Sequence, residues 1–462
     1  MAGAPERADT AVRIGFISLG CPKNQLDCEL MLARAVGAGY VVTPRIGEAE
    51  AIVINTCSFI QPAIDEADEA IREALGYKRA GSCRAVIVAG CLPQYLRERV
   101  HEAYPEVDAW LTPDQPRSLP EVLAGLLGGA EMSQAPAPSA FPLPTFLATH
   151  ADGRVLTTPP SLAYVKIAEG CDHRCRFCII PQLRGRYRSR LQEDIAAEVQ
   201  GVLARGIPEI VLVSQDSAAY GRDLDGASLS SLLQRLCAIE GDFWLRVMYL
   251  YPTRLTRRLL DTWARLAPKL LPYFDIPLQH ISPAVLKAMG RSGDRDSIIA
   301  LLERIRAACP DAVIRTTLLV GYPGETQSDF ADLLAWVEEG HVERLGVFAY
   351  SELSGMHSAA LPGKVPEDEK QQRLDMLMQA QYAVVQRQAP LLAGRELDVI
   401  IEQLERRRPG GSWLAIGRSW REAYEIDGQV RVALRQQPRL YGRLRARITG
   451  TDGYDLLAAP AD

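Results

Sequence analysis

The chain has 462 residues, of which 47% are hydrophobic and 24% are charged, as is ordinary for a globular protein of several domains. No apolar run approaches the ~20 residues that a membrane-spanning helix needs, and the N-terminus MAGAPERADT lacks the apolar stretch of a secretion signal. The net charge of −5 gives no general argument for nucleic-acid binding. Because the sequence shows neither a membrane-spanning run nor a secretion signal, we expect a cytoplasmic protein without membrane contact.

The first region alternates short apolar runs with helical patterns. The predicted strands cover residues 13–18, 51–55 and 85–89, and the predicted helices lie near 27–37, 62–75 and 94–103. This alternation is typical of an α/β fold with a parallel sheet between helices, and we predict a flavodoxin-like domain over residues 11–133. A Pro- and Ala-rich stretch then indicates a linker within residues 134–158.

Residues 159–388 return to the same alternation. The predicted strands are residues 163–167, 209–213, 244–250, 273–276, 313–320 and 344–350. Six strand–helix units indicate a partial (β/α)6 barrel, in which the chemistry is expected at the carboxyl ends of the strands.

The last region, residues 390–458, is different in character. Short strands are predicted at residues 397–402, 413–416, 421–425, 429–432 and 444–449, separated by Gly, Pro and Asp. This spacing predicts a small β-barrel, a fold that often binds RNA. From Pro390 onward there are 12 Arg, no Lys and 10 acidic residues, a local charge of 12 − 10 = +2. We therefore interpret Arg418, Arg421 and Arg443 as candidate contacts with a macromolecular partner.

Three of the ten cysteines form a tight cluster directly after the first predicted barrel strand. Cys171, Cys175 and Cys178 have the spacing C-x3-C-x2-C. Three thiolates on one loop suit three irons of a 4Fe–4S cluster and leave the fourth iron open to chelate S-adenosylmethionine. The alternative is a zinc site, which would want a fourth Cys or His; His173 lies inside the loop, where local geometry is expected to orient it.

A second set of cysteines is spread over the first domain. Cys21, Cys57 and Cys91 each follow a predicted parallel strand, so all three are expected at the carboxyl edge of the same sheet. Three convergent thiolates predict a second 4Fe–4S cluster with one open iron. The alternative is three unrelated buried cysteines. The remaining four are interpreted as buried apolar residues: Cys28, Cys83, Cys237 and Cys309.

From Val12 to Leu457 the sequence resembles the methylthiotransferase family of radical S-adenosylmethionine enzymes, which have an N-terminal domain, a partial barrel and a C-terminal TRAM domain. The shared motifs are DIPLQH at residues 275–280 and RTTLLVGYPGE at residues 315–325. Three further motifs resemble the branch that modifies ribosomal protein uS12: SLGCPKN at residues 18–24, IPQLRGRYRSR at 180–190 and EIDG at 425–428. The tRNA-modifying branch usually has Gln-Met-Asn after the first cysteine.

The resemblance implies a transfer of a methylthio group to the β-carbon of an aspartate in uS12, as free protein or within the small subunit. It implies two 4Fe–4S clusters on the six cysteines and two molecules of S-adenosylmethionine, one as methyl donor and one as source of the radical that removes hydrogen. A low-potential donor such as flavodoxin is expected, and the TRAM domain offers a contact with rRNA. The alternatives are a tRNA methylthiotransferase and a non-catalytic, metal-binding ribosome assembly factor.

Contacts with S-adenosylmethionine are expected at the ends of the later barrel strands. The candidates are Gln215, Asp216, Gln279, Arg315 and Gly321, for each of which packing or a turn is an equal alternative. The alternating series Arg184, Arg186, Arg188 and Arg190 either contacts carboxylates of substrate or cofactor or forms a solvated face.

Overall fold

The computed structural model describes residues 11–128, 141–406 and 411–461, so residues 134–140 of the predicted linker lie outside the described part. The N-terminal region contains strands β1 (Arg13–Ser18), β2 (Val41–Val42), β3 (Ala51–Thr56), β4 (Ala85–Gly90) and β5 (Ala109–Leu111) and helices α1 (Pro22–Gly37), α2 (Gln61–Arg79), α3 (Cys91–Leu96), α4 (Val100–Ala103) and α5 (Leu119–Leu127).

These strands form one parallel sheet in the order β2-β1-β3-β4-β5, the flavodoxin-like order. Strands β3 and β4 are buried along their whole length, as expected when helices cover both faces of a parallel sheet. Helix α2 buries Ala67, Ile71, Ala74 and Leu75, which share one face at helical spacing. The helix predicted at 94–103 is instead divided by a 3-10 turn beginning at Arg97, whose φ is 53°.

The central region contains strands β6 (Ala163–Lys166), β7 (Ala168–Glu169), β8 (Arg188–Ser189), β9 (Glu209–Val213), β10 (Trp244–Val247), β11 (Tyr273–Asp275), β12 (Val313–Val320) and β13 (Arg344–Ala349). Its helices are α6 (Ile180–Arg184), α7 (Gln192–Leu203), α8 (Leu229–Cys237), α9 (Arg257–Leu266), α10 (Pro283–Ala288), α11 (Arg295–Ala308), α12 (Gln327–Glu339) and α13 (Glu367–Gln388).

Six parallel strands of this region form the predicted partial barrel. The order β10-β9-β6 and the order β11-β12-β13 are joined by a parallel bridge between Leu245 and Leu270 and by a 2.8 Å hydrogen bond from Leu250 N to Asp275 O. The short antiparallel pair β7 and β8 brackets the loop that carries Cys171, Cys175 and Cys178. The cysteine loop therefore lies at the carboxyl end of the first barrel strand.

The last region is a closed barrel of five strands in the order β14-β15-β16-β18-β17. The strands are β14 (Glu396–Arg406), β15 (Trp413–Arg418), β16 (Val430–Leu434), β17 (Arg443–Asp452) and β18 (Asp455–Pro460). The strand predicted at residues 421–425 is wrong: that segment is a series of turns in which Glu425 has a φ of 59°. The fifth strand is instead β18, which pairs in parallel with β16.

Residues 418–428, the connection from β15 to β16, close the N-terminal end of the partial barrel. Arg418 is 2% exposed and its Nη2 lies 2.8 Å from Glu209, the fully buried first residue of β9. Asp427 accepts a 2.6 Å hydrogen bond from the hydroxyl of Tyr273, the first residue of β11. A connection rich in charged residues fits this buried place because the barrel supplies opposite charges.

None of the described helices combines the length and apolar character that crossing a bilayer requires.

We expect Arg418→Leu to destabilise the protein strongly. Arg418 also pairs with Glu402 at 2.8 Å, so its removal takes the arginine partner from Glu402 and leaves the buried Glu209 with Arg246 alone, at a cost of about 3 kcal/mol. Urea unfolding of the purified protein measures the change. The matched control is Arg445→Leu, because Arg445 is half-exposed and pairs with Glu396 on the surface, where such pairs are worth less than about 1 kcal/mol. Equal unfolding midpoints for the two variants would contradict the buried role of Arg418.

Candidate active site

Three cysteines converge at the carboxyl edge of the N-terminal sheet. Cys21 caps α1 after β1, Cys57 follows β3 directly, and Cys91 begins α3 after β4. Strands β1, β3 and β4 are neighbours, so the three thiols lie side by side. Gly20, with a φ of +91°, allows this approach: a Cβ at that position would lie 2.6 Å from the Cβ of Cys57. We call this set the N-terminal triad.

The thiols of the N-terminal triad influence one another electrostatically. Burial raises the pKa of Cys91 to about 12, and the negative charges of Cys57 and Cys21 act in the same direction, whereas Arg184 acts against them. Burial and Cys21 likewise raise the pKa of Cys57. Without a bound cation the thiols of Cys57 and Cys91 are therefore protonated near neutral pH, and a metal that binds them must displace protons.

We call the second set the barrel triad: Cys171, Cys175 and Cys178. Backbone hydrogen bonds hold the loop that carries it. Arg176 N donates a 2.9 Å hydrogen bond to Met289 O, and Cys178 N donates one of 3.1 Å to Cys175 O. The pKa of Cys171 is raised to about 11, chiefly by burial and also by the charge of Cys175, while a backbone hydrogen bond from His173 acts in the opposite direction. The three thiols thus share one environment beside the barrel opening.

His173 is held by neighbours rather than directed toward the thiols. Its Nε2 lies 2.7 Å from the buried carboxylate of Asp216, and its ring stacks on Tyr251 with centroids 3.7 Å apart. Arg254 also binds Asp216, at 2.9 Å. This agrees with the interpretation that local geometry orients His173, and it leaves three thiols as the donor set of the loop.

Each triad supplies three thiols, the donor set that an iron–sulfur cluster with one open iron takes. In the parts of the chain that the structure describes, no three His, Cys, Asp or Glu side chains are placed to hold one metal ion together. A 4Fe–4S cluster needs a wider arrangement because each thiolate binds a different iron. Three thiols per site, with no fourth, also match a cluster that keeps one iron open.

A buried ionic network, here called the seam, joins the two triads. Lys166 lies 2.6 Å from both Asp27 on α1 and Glu169, which precedes the barrel triad by two residues. Arg184 reaches Asp27 at 2.5 Å and also binds Asn24 on α1. Burial opposes ionisation of Glu169, yet Lys166 and Arg184 hold its pKa below the ordinary value. The seam therefore fixes the N-terminal sheet against the barrel.

The arginine series of residues 184–190 has two environments. Arg184 and Arg190 are each 3% exposed and engaged in ion pairs, Arg190 with Asp194 and Glu198. Arg186 is exposed. Neither sequence interpretation covers the series as a whole, because the two buried arginines bind carboxylates of the protein itself while Arg186 is exposed.

Two of the residues predicted to contact S-adenosylmethionine follow β9. The amide of Gln215 donates to Glu169, and Asp216 is enclosed by His173 and Arg254. Both residues are therefore engaged in contacts with the protein.

The other three lie at the later strands. Gln279, with a φ of 74°, forms a parallel bridge with Leu318. Arg315 donates a 2.9 Å hydrogen bond to Asp275, and a Cβ at Gly321 would collide with the side chain of Lys370. Their roles toward a cofactor stay predictions.

Lys23 and Asp27 are site residues to which the sequence analysis gave no role. Lys23 lies inside the family motif at residues 18–24 and Asp27 follows it by three residues, so their proximity to Cys21 is the signal that could have pointed to them. Burial lowers the pKa of Lys23, while the charges of Cys21, Asp275 and Glu169 act in the opposite direction. Two charged groups on a helix that begins at a site cysteine are thus part of the site.

Models of known protein families match three parts of the chain. Residues 13–112 match the uncharacterized protein family UPF0004, residues 165–337 match the radical SAM superfamily, and residues 393–460 match the TRAM domain. Among solved structures, the radical S-adenosylmethionine methyltransferase TsrM from Kitasatospora setae aligns with a TM-score of 0.55 and 13% identity over 76% of this chain and 75% of its own. That likeness concerns the fold alone.

Curated relatives are similar over nearly the whole chain. The ribosomal protein uS12 methylthiotransferase RimO of Dictyoglomus thermophilum is 39% identical over 96% of this chain and 99% of its own length. RimO of Syntrophotalea carbinolica is 41% identical over 97% of both chains. With this identity over the full length, three matching domains in the same order and two cysteine triads, the chain belongs to the RimO family of radical S-adenosylmethionine methylthiotransferases.

Proposed function

We propose that this protein transfers a methylthio group to the β-carbon of an aspartate in ribosomal protein uS12. The observation that carries the proposal is the pair of cysteine triads joined by one buried seam, in a chain whose full-length relatives are named as uS12 methylthiotransferases. Neither a tRNA methylthiotransferase nor a non-catalytic assembly factor is favoured by these relatives. We expect the enzyme to act in the cytoplasm, where ribosomes are assembled, and to use a low-potential donor such as flavodoxin.

We further propose that the six triad cysteines are the cluster ligands. When bound, the two 4Fe–4S clusters and S-adenosylmethionine supply the hydrogen-abstracting radical and the methylated sulfur. Arg184 places its positive charge beside Cys91 and so favours the thiolate form that binds iron. Asp216 holds His173 away from the thiols, which preserves three ligands on the barrel loop. Gln215, Asp216, Gln279, Arg315 and Gly321 remain our candidates for contacts with S-adenosylmethionine.

The domain boundaries that we propose are 11–133, 134–158, 159–388 and 390–458, for the N-terminal domain, linker, barrel and TRAM domain. The arginines that the sequence analysis offered as contacts are not free to bind rRNA, so a contact of the TRAM domain with rRNA would use other, exposed residues. Arg418 and Arg421 are buried, and Arg443 lies 2.5 Å from Asp242 of the central region. Exposed residues such as Arg435 and Arg439 are better placed for RNA.

Deletion of the gene is expected to lower the mass of uS12 by one methylthio group, with hydrogen in its place. Mass spectrometry of ribosomal proteins from deletion and parent strains measures this, and nucleoside analysis of tRNA from the same strains is the control. An unchanged uS12 mass together with loss of methylthioadenosine from tRNA would contradict the proposal.

Substitutions in the two triads are expected to remove different activities of the enzyme. Cys175→Ala should abolish release of 5′-deoxyadenosine from S-adenosylmethionine, whereas Cys91→Ala should keep that release and lose methylthiolation of uS12. Chromatographic assay of both products from anaerobically reconstituted protein separates the two. Cys237→Ala is the control, since Cys237 lies on α8 outside both triads. Identical losses in the two triad variants would contradict separate roles.

Gly20→Ala is expected to reduce the iron and sulfide of reconstituted protein toward the content of a single cluster. The added Cβ would displace Cys57, while the barrel triad lies on another domain. Gly39→Ala is a close control: Gly39 has the same φ of +91° but open space around it, so it tests backbone strain alone. Equal iron content in both variants would show that the contact with Cys57 is unimportant.

A further inference from the structure

Lys23 lies between the two triads, on the inner side of the site. It is two residues after Cys21, in the first turn of α1, and is only 9% exposed. Its Nζ lies 3.1 Å from the centre of the Tyr249 ring. Tyr249 is the second residue after β10, at the carboxyl end of the barrel. The surrounding charges are those of Cys21, of Asp275 at the end of β11, of Glu169 before the barrel triad and, with positive sign, of Arg184. Lys23 thus lies where the start of α1 meets the carboxyl end of the barrel.

The carboxylates around Lys23 are all engaged with other cations. Glu169 is 2.6 Å from Lys166 and also accepts a hydrogen bond from Gln215. Asp275 accepts from Arg315 at 2.9 Å and from the backbone N of Tyr249 at 3.0 Å. Among the described residues, the buried ion pairs of the seam do not include Lys23. Its contact is with the face of an aromatic ring.

Asn24, the next residue of the same motif, has hydrogen-bond partners within the fold. Asn24 is fully buried and donates a 2.8 Å hydrogen bond to Thr56 O, while Asn55 donates to its carbonyl, so its place is explained by the fold. Lys23 has no such hydrogen bond among the described residues, and its contact is with the ring of Tyr249. Taking an ammonium group largely out of water costs free energy, which an anion or an aromatic face offsets. This arrangement is suited to an anionic ligand that enters the site.

We propose that Lys23 binds the side-chain carboxylate of the target aspartate and thereby selects an acidic over a neutral target residue. The inference rests on the proposed function, since it names the substrate group that this site receives. The β-carbon of aspartate is bonded directly to its carboxylate carbon. A cation that holds the carboxylate therefore also fixes the reacting carbon between the two triads, which is the positioning that a bimolecular step requires.

The test is a cycle of two changes, one on each partner, measured as binding. Reconstituted full-length protein with S-adenosylmethionine is titrated with fluorescently labelled uS12 and with uS12 whose target aspartate is replaced by asparagine. The unchanged enzyme should bind the asparagine form about 10- to 100-fold more weakly, the range for loss of a charged hydrogen bond. Lys23→Met should bind both forms equally, at the weaker affinity.

Two further variants keep the result interpretable. Lys78→Met removes a lysine from the same domain, at the end of α2 beside Asp108, and should keep the full discrimination. Lys23→Arg should restore part of the discrimination because it retains the positive charge. Iron content and circular dichroism confirm that each variant is folded and loaded.

The outcomes separate the inference from the function on which it rests. If Lys23→Met still discriminates aspartate from asparagine, the inference is overturned while the function stands. A rise in the KM for S-adenosylmethionine in the assay of 5′-deoxyadenosine, with discrimination kept, would also overturn it by assigning Lys23 to the carboxylate of that cofactor. If the unchanged enzyme does not methylthiolate uS12, the proposed function fails and the inference falls with it.

Discussion

The seam of Lys166, Arg184, Asp27 and Glu169 determines how the two halves of the site are placed. Buried charges are tolerated only when each has its opposite within hydrogen-bond distance, and here two cations alternate with two carboxylates. Two members, Glu169 and Arg184, flank the barrel triad in sequence, and Asp27 follows Cys21 by less than two helical turns. A displacement of the N-terminal sheet would separate these charges, so the seam holds the triads in register.

The parts of the site that follow from strand order could be predicted from sequence alone. Cys21, Cys57 and Cys91 each follow an apolar run, and the carboxyl ends of parallel strands meet at one edge whatever the rest of the fold does. The spacing of the barrel triad is equally local. Both arrangements depend on backbone geometry, which the pattern of apolar residues reports well.

Other parts depend on partners far away in sequence, and there the prediction failed. Residues 421–425 look like a strand because Ala423 and Tyr424 are flanked by polar residues. In the structure they form turns that pack against the N-terminal end of the partial barrel. Arg418 resembles a surface arginine until Glu209 is known to face it. Lys23 carries no periodic signal, because its place is set by Tyr249 across a domain boundary. No local propensity reports a pairing over some 200 residues.

The ion pairs at residues 418–428 also have a consequence for the order in which the chain folds. During synthesis the barrel strands emerge first, when Tyr273 and Arg344 still lack the partners that residues 418–428 provide and Glu209 has only Arg246. The N-terminal end of the barrel is therefore completed only after β15 and its following turns have left the ribosome. Domains commonly fold as units from the N-terminus. This barrel instead gains these partners only when residues 418–428 have been made, so a chain that stops before them leaves Tyr273 and Arg344 without their contacts to Asp427 and Glu422.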